Sequence, residues 1–418
     1  MLATLATPVV LDNGFVLLAV VSLILGLVYR AYSPTGFSDD LSLIREAPGK
    51  KHFSIWTRIS FYFNCASLYR DVYDKFSKRG MPVLVPTLGT RKEIFLPYSS
   101  MKWALSQPPS VLGMWEAFNE MFQLGHSLGD EKYMIDTWPH LLARHVLTQE
   151  LDEYILAVHE ELKHAVDTRF GTDTENWATL DLLDTIRMVV NQVGSRFAVG
   201  LPLCRDEEYL RLLMSAIDGI VESAGVTGFA PTFLRPLIGS LASSRTRGRL
   251  AKLEAKYDPI FKERIRIMQS EKPEASDPTD LLQKMMRYAQ KNRPDELETS
   301  QMTKRLLMAN LGFIYQPNFA MSNMILNIVN SDAEYGTIST LREEAATHLL
   351  IFGRGRNSCP GRFLVDFQLK MMVSHLLTNY DIKFPDEYQG QRPPNRWLLE
   401  FIFPPRAVKV MVKRRAAV

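Results

Sequence analysis

Cysteine is scarce. Cys65, Cys204 and Cys359 are the only three in 418 residues, and they lie far apart. An odd, scattered set excludes a disulfide framework and fits a reducing compartment. No CxxC pair occurs, which removes the usual structural zinc site. An excess of one charge is also missing: 49 Lys and Arg against 46 Asp and Glu leave +3, too weak a field to argue for nucleic acid. There is no internal repeat, so a solenoid is excluded. No Lys or Arg precedes Phe15, whereas a cleaved signal peptide wants a basic start.

What is present begins with an uncharged run, Phe15 to Tyr29, reading FVLLAVVSLILGLVY. As a helix it is about 22 Å long, short against a hydrocarbon core of about 30 Å. Ala31 and Tyr32 can extend it while Arg30 snorkels to the interface. Asp12 lies before the run; Arg30, Arg45, Lys50 and Lys51 lie after it. The positive-inside rule then leaves the rest of the chain cytosolic. Residues 1–32 are expected to be a single-pass transmembrane anchor and residues 33–418 one globular body.

In that body "MPVLVPTLGTRKEIFLPYSS" predicts a hairpin: Pro82 to Pro86, a turn containing Gly89, then Glu93 to Pro97. From Glu150 to Gly248 the apolar residues fall at helical steps. One helix carries Leu151, Ile155, Val158, Leu162 and Val166; the next carries Leu180, Leu183, Ile186, Val190 and Val193. The period returns over Arg249–Gln269 and Thr303–Asn330, and Ser270–Pro278 reads as a solvated loop. The expected class is mainly α with a minor β-sheet.

The most informative stretch is "FGRGRNSCPGRFL", Phe352 to Leu364. Gly353, Gly355 and Gly361 permit backbone shapes closed to other residues and let a flat ligand come close. An amphipathic helix follows, so Cys359 stands just ahead of a helix N-terminus. Backbone donors and the positive dipole end favour thiolate there. A thiolate in such a turn suits an axial iron ligand.

This string resembles the haem-binding loop of the cytochromes P450, in particular fungal microsomal members. "ARHVLTQEL" (Ala143–Leu151) is similar to that family's C-helix. "VGLPLCRDEEYL" (Val199–Leu210) is similar to fungal members, and the closing "RPPNRWLLEFIFPPRAVKVMVKRR" resembles the tail of the ent-kaurene oxidase-like group among them. The resemblance covers nearly the whole chain. It implies a P450-like fold with haem b (iron protoporphyrin IX), Cys359 as iron ligand and Phe352 packed on the sulfur side. Gly353, Gly355 and Gly361 would shape the loop, and Arg144 with His145 would face the propionates. It further implies an endoplasmic reticulum membrane enzyme that takes electrons from NADPH–cytochrome P450 reductase. Such an enzyme oxidises a small apolar, terpenoid-like secondary metabolite.

Three features depart from the family pattern. Asn357 stands where an Arg or His usually meets a propionate. The central helix, "ANLGFIYQPNFAMSN" (Ala309–Asn323), has Tyr315 and Gln316 where the family carries an acid beside a threonine. With a water these two can relay protons; the missing pair also fits haem chemistry of rearrangement or dehydration. Pro317 lacks an N–H and is expected to open the helix. The third departure is a missing block. "DAEYGTISTLREE" (Asp332–Glu344) resembles the segment after the central helix, and "EAATHLLIFGRG" the segment just before the cysteine. The ExxR helix, much of the sheet and the meander that lie between them in the family are gone, which places a deletion near residues 344–346. Glu208–Arg211 and Glu263–Arg266 do spell ExxR, but ahead of the central helix, as chance i,i+3 pairs. A catalytically inactive remnant is the third reading.

Overall fold

The computed structural model describes residues 13–32, 40–87, 93–269, 278–343, 362–398 and 401–416. Helix α1 (Asn13–Tyr32) takes up the apolar run. Helices α2 (Ile55–Phe63) and α3 (Cys65–Lys75) bury Phe61, Cys65, Leu68 and Val72 in a satellite core. Strands β1 (Val83–Val85) and β2 (Glu93–Phe95) cover it as an antiparallel hairpin, with Val83 opposite Phe95. The predicted hairpin is there, trimmed to three residues a side. Pro82, Pro86 and Pro97 bound it, because proline cannot donate to a ladder. Of its predicted turn, residues 88–92, Gly89 included, lie outside the described residues.

Short helices α4 (Met101–Ser106), α5 (Met114–Phe122), α6 (Leu124–Ser127) and α7 (Lys132–Ile135) lead to α8 (Trp138–Gln149) and α9 (Leu151–Phe170). Next the structure corrects the sequence reading. Ala178–Asp181, with Leu180, is strand β3, and the helix starts one residue later as α10 (Leu182–Ala198). Leu180 lies opposite Val410 in a ladder that a one-dimensional period cannot show. The Asp181 carboxylate accepts from Asp184 N at 3.0 Å and so closes the helix end.

Helices α11 (Glu207–Phe229), α12 (Arg235–Ala242), α13 (Ser244–Met268) and α14 (Leu281–Asn292) follow. The central helix is α15 (Thr299–Asn310), a wide turn (Leu311–Tyr315) and α16 (Gln316–Tyr335). The chain ends with α17 (Thr337–Glu343), α18 (Arg362–Asn379) and strands β4 (Tyr380–Lys383), β5 (Arg396–Leu398), β6 (Phe401–Phe403) and β7 (Lys409–Arg414). β7 lies between β3 and β4, all antiparallel, and β5 pairs with β6. The architecture is the mainly helical one expected, with minor sheet. Its main core joins α8–α11, α13–α16 and α18.

A buried cation fixes α8 to the start of the central helix. Arg305 of α15 is fully buried and donates to Glu296 at 2.7 and 2.9 Å and to the Lys132 and Asp136 carbonyls. Trp138, at the start of α8, also donates to Glu296 at 3.0 Å and stacks on Tyr288. Burial alone would raise the Glu296 carboxyl, but the Arg305 and Trp138 donors hold it below the usual range. Its share of stability is therefore present above the unfolded carboxylate range and is lost as pH falls through the lowered value. Arg305→Met strands a buried carboxylate. It is expected to cost about 3–5 kcal/mol in urea unfolding; a loss below about 1 kcal/mol, the scale of an exposed pair, would contradict this account.

Candidate active site

Proline in a helix interior loses its hydrogen bond and drives its ring into the carbonyl four residues back. At Pro317 that carbonyl belongs to Phe313. The chain answers by widening the preceding turn over Leu311–Tyr315 and then resuming a regular helix. Pro317 thus opens one turn, and the helix runs on to Tyr335.

The widened turn presents one face to open space. Gly312 is exposed, and a Cβ built there would meet nothing within 4 Å. Gln316, one turn on, is exposed on the same face. Tyr315 is half-buried and meets Phe319 edge-on at 5.0 Å; Phe319 meets Phe403 of β6 at 5.1 Å. An aromatic line therefore joins the central helix to the β5–β6 hairpin beside the open face. The arrangement fits a flat, largely apolar group lying over Gly312, because no described side chain fills that space.

Of the residues singled out in the sequence, Tyr315 and Gln316 are brought together at the end of the wide turn. Arg144 and His145 sit side by side on an exposed stretch of α8. Phe352, Gly353, Gly355, Asn357, Cys359 and Gly361 lie outside the described residues. Of the two ExxR strings only Glu263 and Arg266 pair with each other, at the surface; the expected Glu208–Arg211 pair is not formed, since Glu208 pairs with Lys256 at 2.6 Å and Arg211 with Glu207.

Sequence reasoning missed the charges behind Tyr315. Arg187 of α10 pairs with Asp218 of α11, and Arg249 of α13 donates to Glu222 of α11 at 3.0 Å. Asp218 and Glu222 are buried, four residues apart on one helix face. Burial raises the Glu222 carboxyl despite Arg249, and its second oxygen has no hydrogen-bond partner. Burial, then the Asp218 charge, pushes the Tyr315 hydroxyl well above its ordinary range. Tyr315 therefore stays protonated and can donate a hydrogen bond but not act as a base. Two acids inside an apolar run were the available signal, but they read as a helix's wet edge.

The two cysteines among the described residues, Cys65 and Cys204, are both buried. Cys65 is buried in the satellite core. Burial, with the Glu161 carboxylate nearby, pushes the Cys204 thiol up to about 12. Cys204 is therefore held as the neutral thiol at neutral pH.

No protein-family model matches the chain. It is similar to the cytochrome P450 monooxygenase pbrC of Penicillium brasilianum, 35% identical over 506 residues covering 93% of this chain and 94% of the relative. It is also similar to the cytochrome P450 monooxygenase astC of Aspergillus terreus, 34% identical over 509 residues covering 93% and 95%. Among solved structures, the retinoic acid-bound cyanobacterial CYP120A1 shares its fold, with a TM-score of 0.56, 12% identity and coverage of 85% of this chain and 96% of that one. The first alignment extends over 506 positions against a chain of 418 residues, so at least 88 positions carry no residue of this chain.

Proposed function

The chain belongs to the cytochrome P450 monooxygenases, and from that membership we propose a haem-thiolate enzyme that oxidises an apolar, terpenoid-like secondary metabolite. Haem b is its cofactor, Cys359 the iron ligand, and NADPH–cytochrome P450 reductase the electron source. The bound haem supplies the oxygen chemistry. The observation that carries the substrate reading is the open face at Gly312 and Gln316, flanked by Phe319 and Phe403. That face is open, with Gln316 exposed on it as a polar handle and Tyr315 half-buried beside it.

The chain's own residues act by position. Phe319 and Phe403 exclude water from one side. Tyr315, its hydroxyl pushed up by burial, can donate a hydrogen bond. Gln316 can orient a water through its amide without itself exchanging a proton. The reading predicts NADPH consumption coupled to oxidised product when reductase and a terpenoid library are supplied. Conversion of a substrate with no NADPH used would shift the assignment to rearrangement or dehydration. The protonated tyrosine in place of an acid–alcohol pair favours that second reading.

The body lies on the cytosolic side of the endoplasmic reticulum membrane, with α1 as its anchor. The chain is expected to pellet with microsomes and to resist alkaline carbonate. Secretion with a new N-terminus near residue 32 would overturn the anchor.

A further inference from the structure

The C-terminal segment is unbalanced in charge. Residues 389–408 hold three arginines, Arg392, Arg396 and Arg406, and one acid, Glu400, which lies outside the described residues. All three guanidiniums are partly buried. A cation drawn out of water costs free energy unless an anion or a set of acceptors faces it. Arg392 is met by neutral acceptors alone: it donates to Asn323, Asn327 and Asn395. Arg396 donates to the Pro404 carbonyl at 3.4 Å. The stretch of α16 alongside, from Gln316 to Ser331, contains no Asp or Glu.

The β5–β6 hairpin turns Arg396 toward the central helix. Residues directly opposite in a ladder share one face of the sheet, and Arg396 stands opposite Phe403. Phe403 meets Phe319 of α16 at 5.1 Å, and Phe319 meets Tyr315 at 5.0 Å. Trp397 and Ile402, the next pair in the ladder, take the other face and are exposed. Arg396 therefore shares the face that carries the aromatic line to the open side of Gly312 and Gln316.

Arg406 follows Phe403 after two prolines. Burial, then the Arg406 charge, pulls Arg396 below the ordinary guanidinium range, and burial does the same to Arg406. Both remain cations near neutral pH. Two like charges half out of water repel each other, and an anion between them removes that cost. The planar fork of a guanidinium matches a carboxylate in particular. The aromatic walls next to it exclude a small, fully hydrated ion as the best fit and favour a carboxylate on an apolar body.

We infer that Arg396 and Arg406 bind the carboxylate of the substrate, so that the molecule oxidised at the open face is an apolar acid laid along Phe403 and Phe319. The inference rests on the Gly312 face being the substrate site. Haem propionates offer the same chemistry, and the test separates the two.

The full chain in nanodiscs, without added haem, is dialysed against abietic acid or its methyl ester, with empty nanodiscs subtracted. The two probes differ by one charge and one methyl group. Near neutral pH the acid is expected to bind about tenfold or more tightly than the ester, the scale of one charge-assisted contact. Arg396→Gln with Arg406→Gln should bring that ratio to about one, while lysine at both positions should keep a preference for the acid. Equal binding of acid and ester by the unmodified chain, or a preference retained in the glutamine variant, would overturn the inference. Haem content is the second arm. It should not change in the glutamine variant; a fall in haem that acid binding does not share assigns the arginines to the propionates and overturns the substrate role. NADPH-coupled oxidation with a ratio of one would sink this inference alone. A clear preference for the acid in a chain that oxidises nothing would support it while removing the monooxygenase reading.

Discussion

Cys359→Ser is expected to abolish the thiolate-type spectrum of the carbon monoxide complex, while Cys65→Ser and Cys204→Ser leave it in place. The effect is all-or-none because a serine hydroxyl does not ionise near neutral pH, and an un-ionised oxygen is a poor axial ligand for haem iron. The other two sulfurs cannot substitute. Cys65 is packed beside Leu68 and Val72, and Cys204, pushed up to about 12, is held as a neutral thiol. Cys359 alone lies in a glycine-rich stretch of the sequence, three residues ahead of α18. The two control variants also report on folding, since each alters a buried site. A normal spectrum from the Cys359 variant, or loss of it in both controls alone, would refute the ligand assignment.

Order and type of the helices were legible because their apolar stripes are long and their boundaries are marked by aspartates. Asp206 and Asp280 each accept from the backbone three residues on, as Asp181 does. The β1–β2 hairpin was legible from prolines bracketing two short apolar runs. Leu180 was not, since a strand of four residues between loop and helix is defined by Val410, 230 positions away in sequence. The family-bearing loop around Cys359 needed no structure to be noticed, because few folds place three glycines, a proline and a cysteine so close together.

The polar part of the site was hardly legible. Arg187, Asp218, Glu222 and Arg249 lie on three helices, and only the packing of α10, α11 and α13 turns them inward. The contacts of α1 were not legible either. An apolar run has the same composition whether lipid or protein covers it. The distinction lies in Gly26 and Ser22, small residues whose meaning appears only with Phe229 and Val226 opposite. Pro317 foretold a break; the widened turn at 311–315 shows how the backbone absorbs it without ending the helix.

The chain as written is expected to hold haem substoichiometrically and to give little thiolate-type carbon monoxide complex. Inserting a homologous ExxR-to-meander segment between Glu344 and Ala345 should restore both. The ligand's own support is intact on one side: Leu364, Val365, Leu369 and Met372 seat the first half of α18 in the main core. Its second half meets α16 and α17 directly, with Ile328, Ile338 and Leu377 sharing one small cluster. An alignment with a full relative runs over at least 88 positions that have no residue of this chain, and the deletion is proposed to fall near residues 344–346. A ligand loop that has lost part of its supporting shell samples more positions, and an iron–sulfur bond tolerates few of them. Exposure to water also favours the protonated thiol. The inserted segment should therefore raise haem content toward one per chain without any change at Cys359. Full haem content and efficient turnover from the unmodified 418 residues would show that α18 and the central helix suffice to hold the site.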